Sequence, residues 1–216
     1  MFQKQMKKII IIDYQLGNLF SVKNACKLVG GYAKISSDPC EVETADALIL
    51  PGVGAFKTAM GNLKSLRLLD PVLKHVFAGK PIFGICLGLQ LLFEGSEEFG
   101  STAGLGVLRG NVKRLPGHNS PVPQIGWNQI FSHRKAAVRW NTTPLMAIPE
   151  GAWMYFVHSY YVDNDDPEDS LCTTEYSGFK YTSGVIKNNI FGVQFHPEKS
   201  SEIGLDIYRA WFKMLG

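Results

Sequence analysis

The segment Gly84-Ile85-Cys86-Leu87-Gly88 places the tightest constraint on how this 216-residue chain can fold. An apolar run, Pro81-Ile82-Phe83, precedes it, and Leu89-Gln90-Leu91-Leu92-Phe93, which can start a helix, follows. Glycines two residues before and two after a cysteine mark a nucleophile elbow. The strand turns into the helix so tightly that side chains at the flanking positions would clash, and only glycine fits. Such a turn belongs to a strand whose carboxyl end opens directly into a helix. It lifts the Cys86 thiol out of the sheet edge, and the N–H of Leu87, at the helix N-terminus, points where an oxyanion would form. The pattern is that of a cysteine enzyme of acyl transfer.

The rest of the first half repeats this strand–helix alternation. Lys8–Asp13 reads as a buried strand ending in the loop Tyr14-Gln15-Leu16-Gly17. Leu19, Val22, Cys26 and Val29 recur at three- and four-residue spacing, predicting an amphipathic helix that Gly30-Gly31 terminates. Tyr32–Ser36 and Ala47–Leu50 read as strands, and a helical stretch runs from about Phe56 to Gly79. This order implies a parallel sheet covered on both faces. In the second half, Gly104–Arg114 and Trp153–Val157 read as shorter strands, and Tyr181–Lys187 with Ile190–Phe195 as a hairpin about Asn188-Asn189. A closing helix puts Ile203, Ile207, Trp211 and Met214 on one side, and the acidic segment Asp163–Asp169 reads as a solvated turn. With no repeat and no linker, the expectation is one α/β domain over residues 1–216: an open, largely parallel twisted sheet flanked by helices, of the flavodoxin-like kind.

Several function classes drop out on composition. A net charge of +3 is too small and dispersed for nucleic acid, and the cluster Lys4, Lys7 and Lys8 reads as a solvated lead-in to the first strand. The run Ile9–Ile12 stops at Asp13, too short for a signal-peptide core or a membrane span. Cys26, Cys40, Cys86 and Cys172 show neither C-x-x-C pairing nor metal-ligand spacing, which points to the reducing cytoplasm, where a thiol stays nucleophilic. No phosphate loop or dinucleotide fingerprint is visible, so no metal and no cofactor are expected.

A cysteine nucleophile needs a base and an orienting group. Gln194-Phe195-His196-Pro197-Glu198 offers both: in extended chain, residues two apart face the same side, so His196 and Glu198 reach one site together. His196 would favour the thiolate, and Glu198 would fix the imidazole and stabilise its charge. The loop Pro51-Gly52-Val53-Gly54 follows a strand at the sheet edge where open α/β folds place their sites, and its glycines permit an N–H to turn toward a developing negative charge.

Together these three segments, in this order, resemble the class I (triad) glutamine amidotransferases. Within that superfamily the chain most resembles the glutaminase subunits of imidazole glycerol phosphate synthase. Asp13-Tyr14 with Gly17-Asn18-Leu19, the run Pro51–Phe56, Gly126-Trp127-Asn128, Tyr155–Tyr160 and His196–Ser200 carry that likeness, almost end to end. The resemblance implies hydrolysis of glutamine to glutamate and ammonia by a Cys86–His196–Glu198 triad. It implies oxyanion-hole N–H groups from Val53 and Leu87, and a glutamine site around Gly52, Gly54, Gln90, His158, Ser159 and Tyr160. It implies a (β/α)8 barrel cyclase subunit as heterodimeric partner, receiving ammonia for histidine biosynthesis, with Asn18, Trp127, Tyr160 and Lys199 as candidates for the contact surface or activation relay. Two positions depart from the pattern: Gln15 stands where glycine is common, and Gln124 where histidine is common. Both lie in partner-linked segments, which keeps open a paralogue feeding an amidotransferase of surface-sugar synthesis. Also open are an idle glutaminase-like binding module and a stand-alone cysteine hydrolase of γ-glutamyl or peptide bonds. The complete triad argues against the idle module, and weak activity that rises in complex would argue against the hydrolase.

Overall fold

The computed structural model describes residues 7–117, 121–133 and 140–216, so Lys4 lies outside the described residues. The chain opens with strand β1 (Ile9–Ile12), helix α1 (Leu19–Leu28), β2 (Ala33–Ser36), α2 (Pro39–Thr44) and β3 (Ala47–Gly52). Helices α3 (Phe56–Ser65) and α4 (Leu69–Phe77) lead into β4 (Ile82–Cys86) and α5 (Leu87–Leu91). The short β5 (Gly95–Ser96) and β6 (Thr102–Ala103) precede β7 (Gly110–Arg114), β8 (Gln124–Ser132), β9 (Ala152–His158) and β10 (Tyr160–Asn164). Strands β11 (Ser170–Tyr176), β12 (Phe179–Lys187) and β13 (Ile190–Val193), a 3-10 turn (Pro197–Lys199) and helix α6 (Ser201–Met214) complete it.

The sheet runs β2-β1-β3-β4-β13-β12-β10-β7-β5-β6. From β2 to β13 every pairing is parallel; β12 then pairs antiparallel with β13, and β11, β8 and β9 continue from β12 as an antiparallel wing. All four isoleucines of β1 are buried because the sheet is covered on both sides. Ile9 and Ile11 join the core with α1 and α6, whereas Ile10 and Ile12 join the core with α3, α4 and α5. The same alternation repeats in Ala47/Ile49 against Leu48/Leu50 of β3. Each buried isoleucine or leucine of this set contributes roughly 1.5–3 kcal/mol of transfer free energy. The α/β sheet flanked by helices is therefore as the pattern implied. Among the described residues no helix is long and apolar enough to cross a membrane.

Five local expectations are corrected. The stretch Phe56–Gly79 is two helices, because α3 ends in a Schellman turn: Arg67 has φ +57°, Arg67 N donates to Lys64 O at 3.1 Å, and Leu68 N donates to Leu63 O at 2.8 Å. That turn buries Leu68 with an arginine where glycine would have signalled the stop. Of Gly104–Arg114 only the last five residues form a strand, since Gly104, Leu105 and Val107 donate instead to Glu94 O, Leu91 O and Leu92 O around the end of α5. The second arm of the hairpin about Asn188-Asn189 ends at Val193: Gln194 N makes the last bond to β12, at Ser183 O, and His196 N then donates to Tyr155 O, so the chain leaves β12 before Phe195 can pair. Asp169 is buried and ion-paired to Lys187 Nζ at 2.8 Å, so the acidic segment is not wholly solvated. Met214 is half exposed at the last residue of α6, while Ile207 and Trp211 are buried.

Candidate active site

Cys86 sits where β4 meets α5, at the carboxyl edge of the parallel sheet, with φ +54° and ψ −111°. A non-glycine residue in this region costs about 1–3 kcal/mol and persists only where its surroundings over-determine it. Here they do. A Cβ on Gly84 would lie 3.0 Å from the Leu89 backbone, and one on Gly88 would fall on the carbonyl oxygen of Leu50. The elbow is thus clamped between its own helix and β3. Gln194 Nε2 approaches the Cys86 sulfur at 3.6 Å, and the thiol lies 3.9 Å from Val157 O.

His196 and Glu198 meet Cys86 as expected, but not for the reason the sequence suggested. Glu198 lies in the 3-10 turn, not in an extended strand, and the turn folds its carboxylate back onto the ring: Nδ1 to Oε1 is 2.8 Å. Both side chains are 2% exposed. The turn is buttressed by Ser200, whose hydroxyl donates to His196 O at 2.7 Å and accepts from Tyr155 N at 3.0 Å. His196 Nε2 has no partner at hydrogen-bond geometry among the described residues, an open arrangement usual before substrate binds. Burial alone would push the imidazole's pKa down; the neighbouring Cys86 sulfur and Glu198 outweigh it and hold it up at about 10. A raised histidine pKa adds stability that is complete below the ordinary value of 6.5 and is lost as pH rises through about 10. Glu198→Gln removes one of those supports. Its expected effects are an about 10²- to 10⁴-fold fall in kcat and a weaker loss of stability between neutral and alkaline pH than in the unsubstituted chain. Paired urea titrations and the rate of Cys86 alkylation by iodoacetamide at neutral pH check this; unchanged alkylation would remove Glu198 from the triad.

A cavity of about 410 Å³ opens over the thiol. Val53, Gly54 and Leu87 line one side, and His158, Ser159, Tyr160 and Gln90 another. Gly52 lies behind them: it is buried in β3, where a Cβ would strike the Tyr14 hydroxyl, which donates to Pro51 O at 2.6 Å. Gln90 Nε2 donates to Tyr160 O at 2.8 Å and to Gln194 Oε1 at 3.0 Å, tying the cavity wall to the residue beside the thiol. Burial pulls the pKa of His158 down to about 4, so it enters this site as a neutral ring.

Sequence reasoning missed Glu98, which also lines the cavity and whose Oε2 accepts from Phe56 N at 2.6 Å. Its only local signal is the pair Glu97-Glu98 beyond the elbow helix, which reads as surface charge. Tyr14, which in sequence is no more than part of the opening signature, packs beneath β3; burial, with Cys86 charge adding to it, drives its pKa far up.

Of the partner-face candidates, Trp127 and Lys199 lie together. Trp127 is 48% exposed and meets the Tyr155 ring edge-on at 6.2 Å, and Lys199 Nζ stands 5.8 Å over that same ring while lining the cavity. Asn18 is engaged as the N-cap of α1, accepting from Ser21 N at 3.3 Å. Gln15 adopts φ +67° with its N–H on Asp13 Oδ1 at 2.9 Å, a left-handed position that explains why glycine suits it. Gln124 is buried, bonded to the Tyr181 hydroxyl behind the cavity wall.

The family description "Glutamine amidotransferase class-I" matches residues 11–213. The HisH subunit of imidazole glycerol phosphate synthase from Symbiobacterium thermophilum is 46% identical over 97% of this chain and 95% of its own. The HisH subunit from Bacillus subtilis is 44% identical over 94% and 95%. Among solved structures, PurLQS from Thermotoga maritima shares the fold with a TM-score of 0.73 at 19% identity, covering 98% of this chain and 100% of that one. The Trypanosoma brucei CTPS glutaminase domain with bound acivicin does so with a TM-score of 0.68 at 15% identity, covering 97% and 93%. With its elbow cysteine, its His–Glu pair and this end-to-end likeness, the chain belongs to the class I glutamine amidotransferases, in the branch of the HisH subunits of imidazole glycerol phosphate synthase.

Proposed function

We propose that residues 1–216 act as one catalytic domain, a glutaminase that releases ammonia for a (β/α)8 barrel cyclase subunit in histidine biosynthesis, in the cytoplasm. The observation that carries this reading is the buried His196–Glu198 pair beside the strained Cys86 thiol. Cys86 Sγ attacks the side-chain amide carbon of glutamine, and the tetrahedral oxyanion is met by the N–H groups of Val53 and Leu87. The C–N bond breaks as the His196 imidazolium delivers its proton to the leaving nitrogen, giving ammonia and a γ-glutamyl thioester. His196 then takes a proton from water, which attacks the thioester, releasing glutamate and restoring the thiolate.

In this reading Gly54, Gln90, His158, Ser159 and Tyr160 shape the glutamine site, and Gly52 holds the oxyanion loop from below. Glu98 supplies the negative charge that an α-ammonium group requires. Trp127 and Lys199 form the partner-facing surface, an exposed aromatic beside a cation being an interface anchor in composition; Asn18 orders the loop next to it. The relatives at 42–46% identity, all HisH subunits, favour histidine biosynthesis over surface-sugar synthesis. Purified alone, the chain is expected to hydrolyse glutamine weakly, with the rate rising strongly on addition of the cyclase subunit. Full activity without a partner would favour a stand-alone hydrolase, and growth of a deletion strain without histidine would overturn the pathway assignment.

A further inference from the structure

Three groups in and behind the cavity wall pose a problem of proton counting. His158 Nδ1 lies 2.8 Å from Tyr160 O, and His158 Nε2 lies 3.1 Å from the Tyr181 hydroxyl. That hydroxyl lies 2.9 Å from Gln124 Oε1, while Gln124 Nε2, on a side chain only 2% exposed, has no partner among the described residues. A neutral imidazole carries a single N–H, and a carbonyl only accepts. The proton of His158 therefore sits on Nδ1, facing Tyr160 O, and Nε2 presents a lone pair to Tyr181. If Tyr181 spends its one proton on Gln124 Oε1, two lone pairs face each other at 3.1 Å and the Gln124 amide N–H groups are orphaned as well. A doubly protonated His158 would satisfy the first fault, but burial drives its pKa down to about 4 despite the bond to Tyr160 O, with the His196 charge adding to the fall.

A half-turn of the Gln124 amide, which exchanges its oxygen and nitrogen in place, removes both faults. The NH2 then donates to Tyr181, whose proton is free for His158, and what remains under-satisfied is a carbonyl oxygen, the commoner and milder exception.

We propose that Gln124, Tyr181 and His158 form a one-way donor relay that positions the glutaminase site: Gln124 Nε2 donates to Tyr181, Tyr181 donates to His158 Nε2, and His158 Nδ1 donates to Tyr160 O. The inference rests on the glutaminase reading of that site. Tyr160 O is also held by Gln90 Nε2, and Gln90 continues through Gln194 to the Cys86 sulfur. The relay thus fixes the bend between β9 and β10 that lines the cavity and registers it against the nucleophile. Register pairs Gln124 directly with His158 across β8 and β9, so the first and last members of the relay cannot slide apart without unzipping that ladder. Gln124 and Tyr181 touch no reacting atom; they are positioning residues.

Long-range ¹H–¹⁵N spectra of the full chain with ¹⁵N-labelled histidine test this. His158 is expected as the Nδ1–H tautomer near neutral pH; an Nε2–H or doubly protonated ring overturns the relay. In Gln124→Met the Tyr181 hydroxyl still donates to His158, so the Nε2 resonance is expected to stay; an upfield move of Nε2, as it gains a hydrogen bond, would mean that Gln124 had been accepting. Tyr181→Phe keeps the ring packing against His158, Tyr161 and Phe179 but removes the donor. It is expected to leave the Nδ1–H tautomer in place, because Tyr160 O still requires it, to move the His158 Nε2 resonance downfield as its lone pair loses its donor, and to lower kcat about tenfold, the worth of one hydrogen bond. An unmoved Nε2 resonance would overturn the relay, and a moved one with unchanged kcat would overturn the positioning role. If the unsubstituted chain with its partner hydrolysed no glutamine, the glutaminase reading would fall instead, while the spectra would still decide the proton pattern.

Discussion

Replacing Cys86 with alanine is expected to lower glutamine hydrolysis by at least about 10⁴-fold while leaving the partner's synthesis from free ammonia largely intact. The size follows from the chemistry: without the sulfur no thioester forms, and the oxyanion donors and cavity act only on uncatalysed attack by water. The asymmetry follows from the division of labour, because ammonia supplied in solution bypasses every step that this chain performs. Assays with saturating glutamine and with ammonium salts on the same complex separate the two. Equal loss of both activities would mean that the elbow shapes the partner rather than feeding it. Cys86 is small and carries no other packing role that alanine fails to fill, apart from its weak contacts to Gln194 and Val157 O. The variant should therefore fold normally.

Gly88→Ala is expected to cost more than about 4 kcal/mol of stability, most of what a marginally stable domain has. The added Cβ would fall on the Leu50 carbonyl oxygen, with the Leu50 carbonyl carbon at 2.7 Å, so the obstacle is backbone and cannot rotate away. Leu50 is locked in β3, which is paired to both β1 and β4. Relief would require separating α5 from the centre of the sheet. Gly61, in the exposed middle of α3, is the control: among the described residues nothing outside its own helix backbone lies within 4 Å of its added Cβ, and Gly61→Ala should gain roughly 0.5–1 kcal/mol. Urea midpoints of the two variants against the parent check both. A Gly88→Ala chain as stable as its parent would mean that the elbow does not rest on β3.

These predictions differ in how far they were visible before any fold was known. The spacing of Gly84, Cys86 and Gly88 announced the elbow because a tight strand–helix turn excludes side chains wherever it occurs. The two-sided burial of β1 was legible because a run of four isoleucines has no polar face to give to water. The helix break at Arg67 was not legible, because a Schellman turn built on arginine carries no local mark; only the burial of Leu68 requires it. Strand β8 was missed for a related reason. It lies in the antiparallel wing, with Ile125 and Trp127 exposed, so its residues show no clean apolar alternation.

Glu98 and the Gln124–Tyr181–His158 relay show the same limit within the site. Their members are 23 to 57 residues apart along the chain, or lie on a turn whose destination only the sheet order determines. By itself, the sequence determined the candidates for nucleophile, base and orienting carboxylate, because short-range sterics and side-chain chemistry are written into adjacent residues. Only the tertiary structure decided that Glu198 reaches His196 through a 3-10 turn, that Gln124 lies buried behind the site, and which proton each buried group must carry. Hydrogen-bond direction in a closed interior depends on which donors and acceptors the fold brings together, and no single segment holds that information.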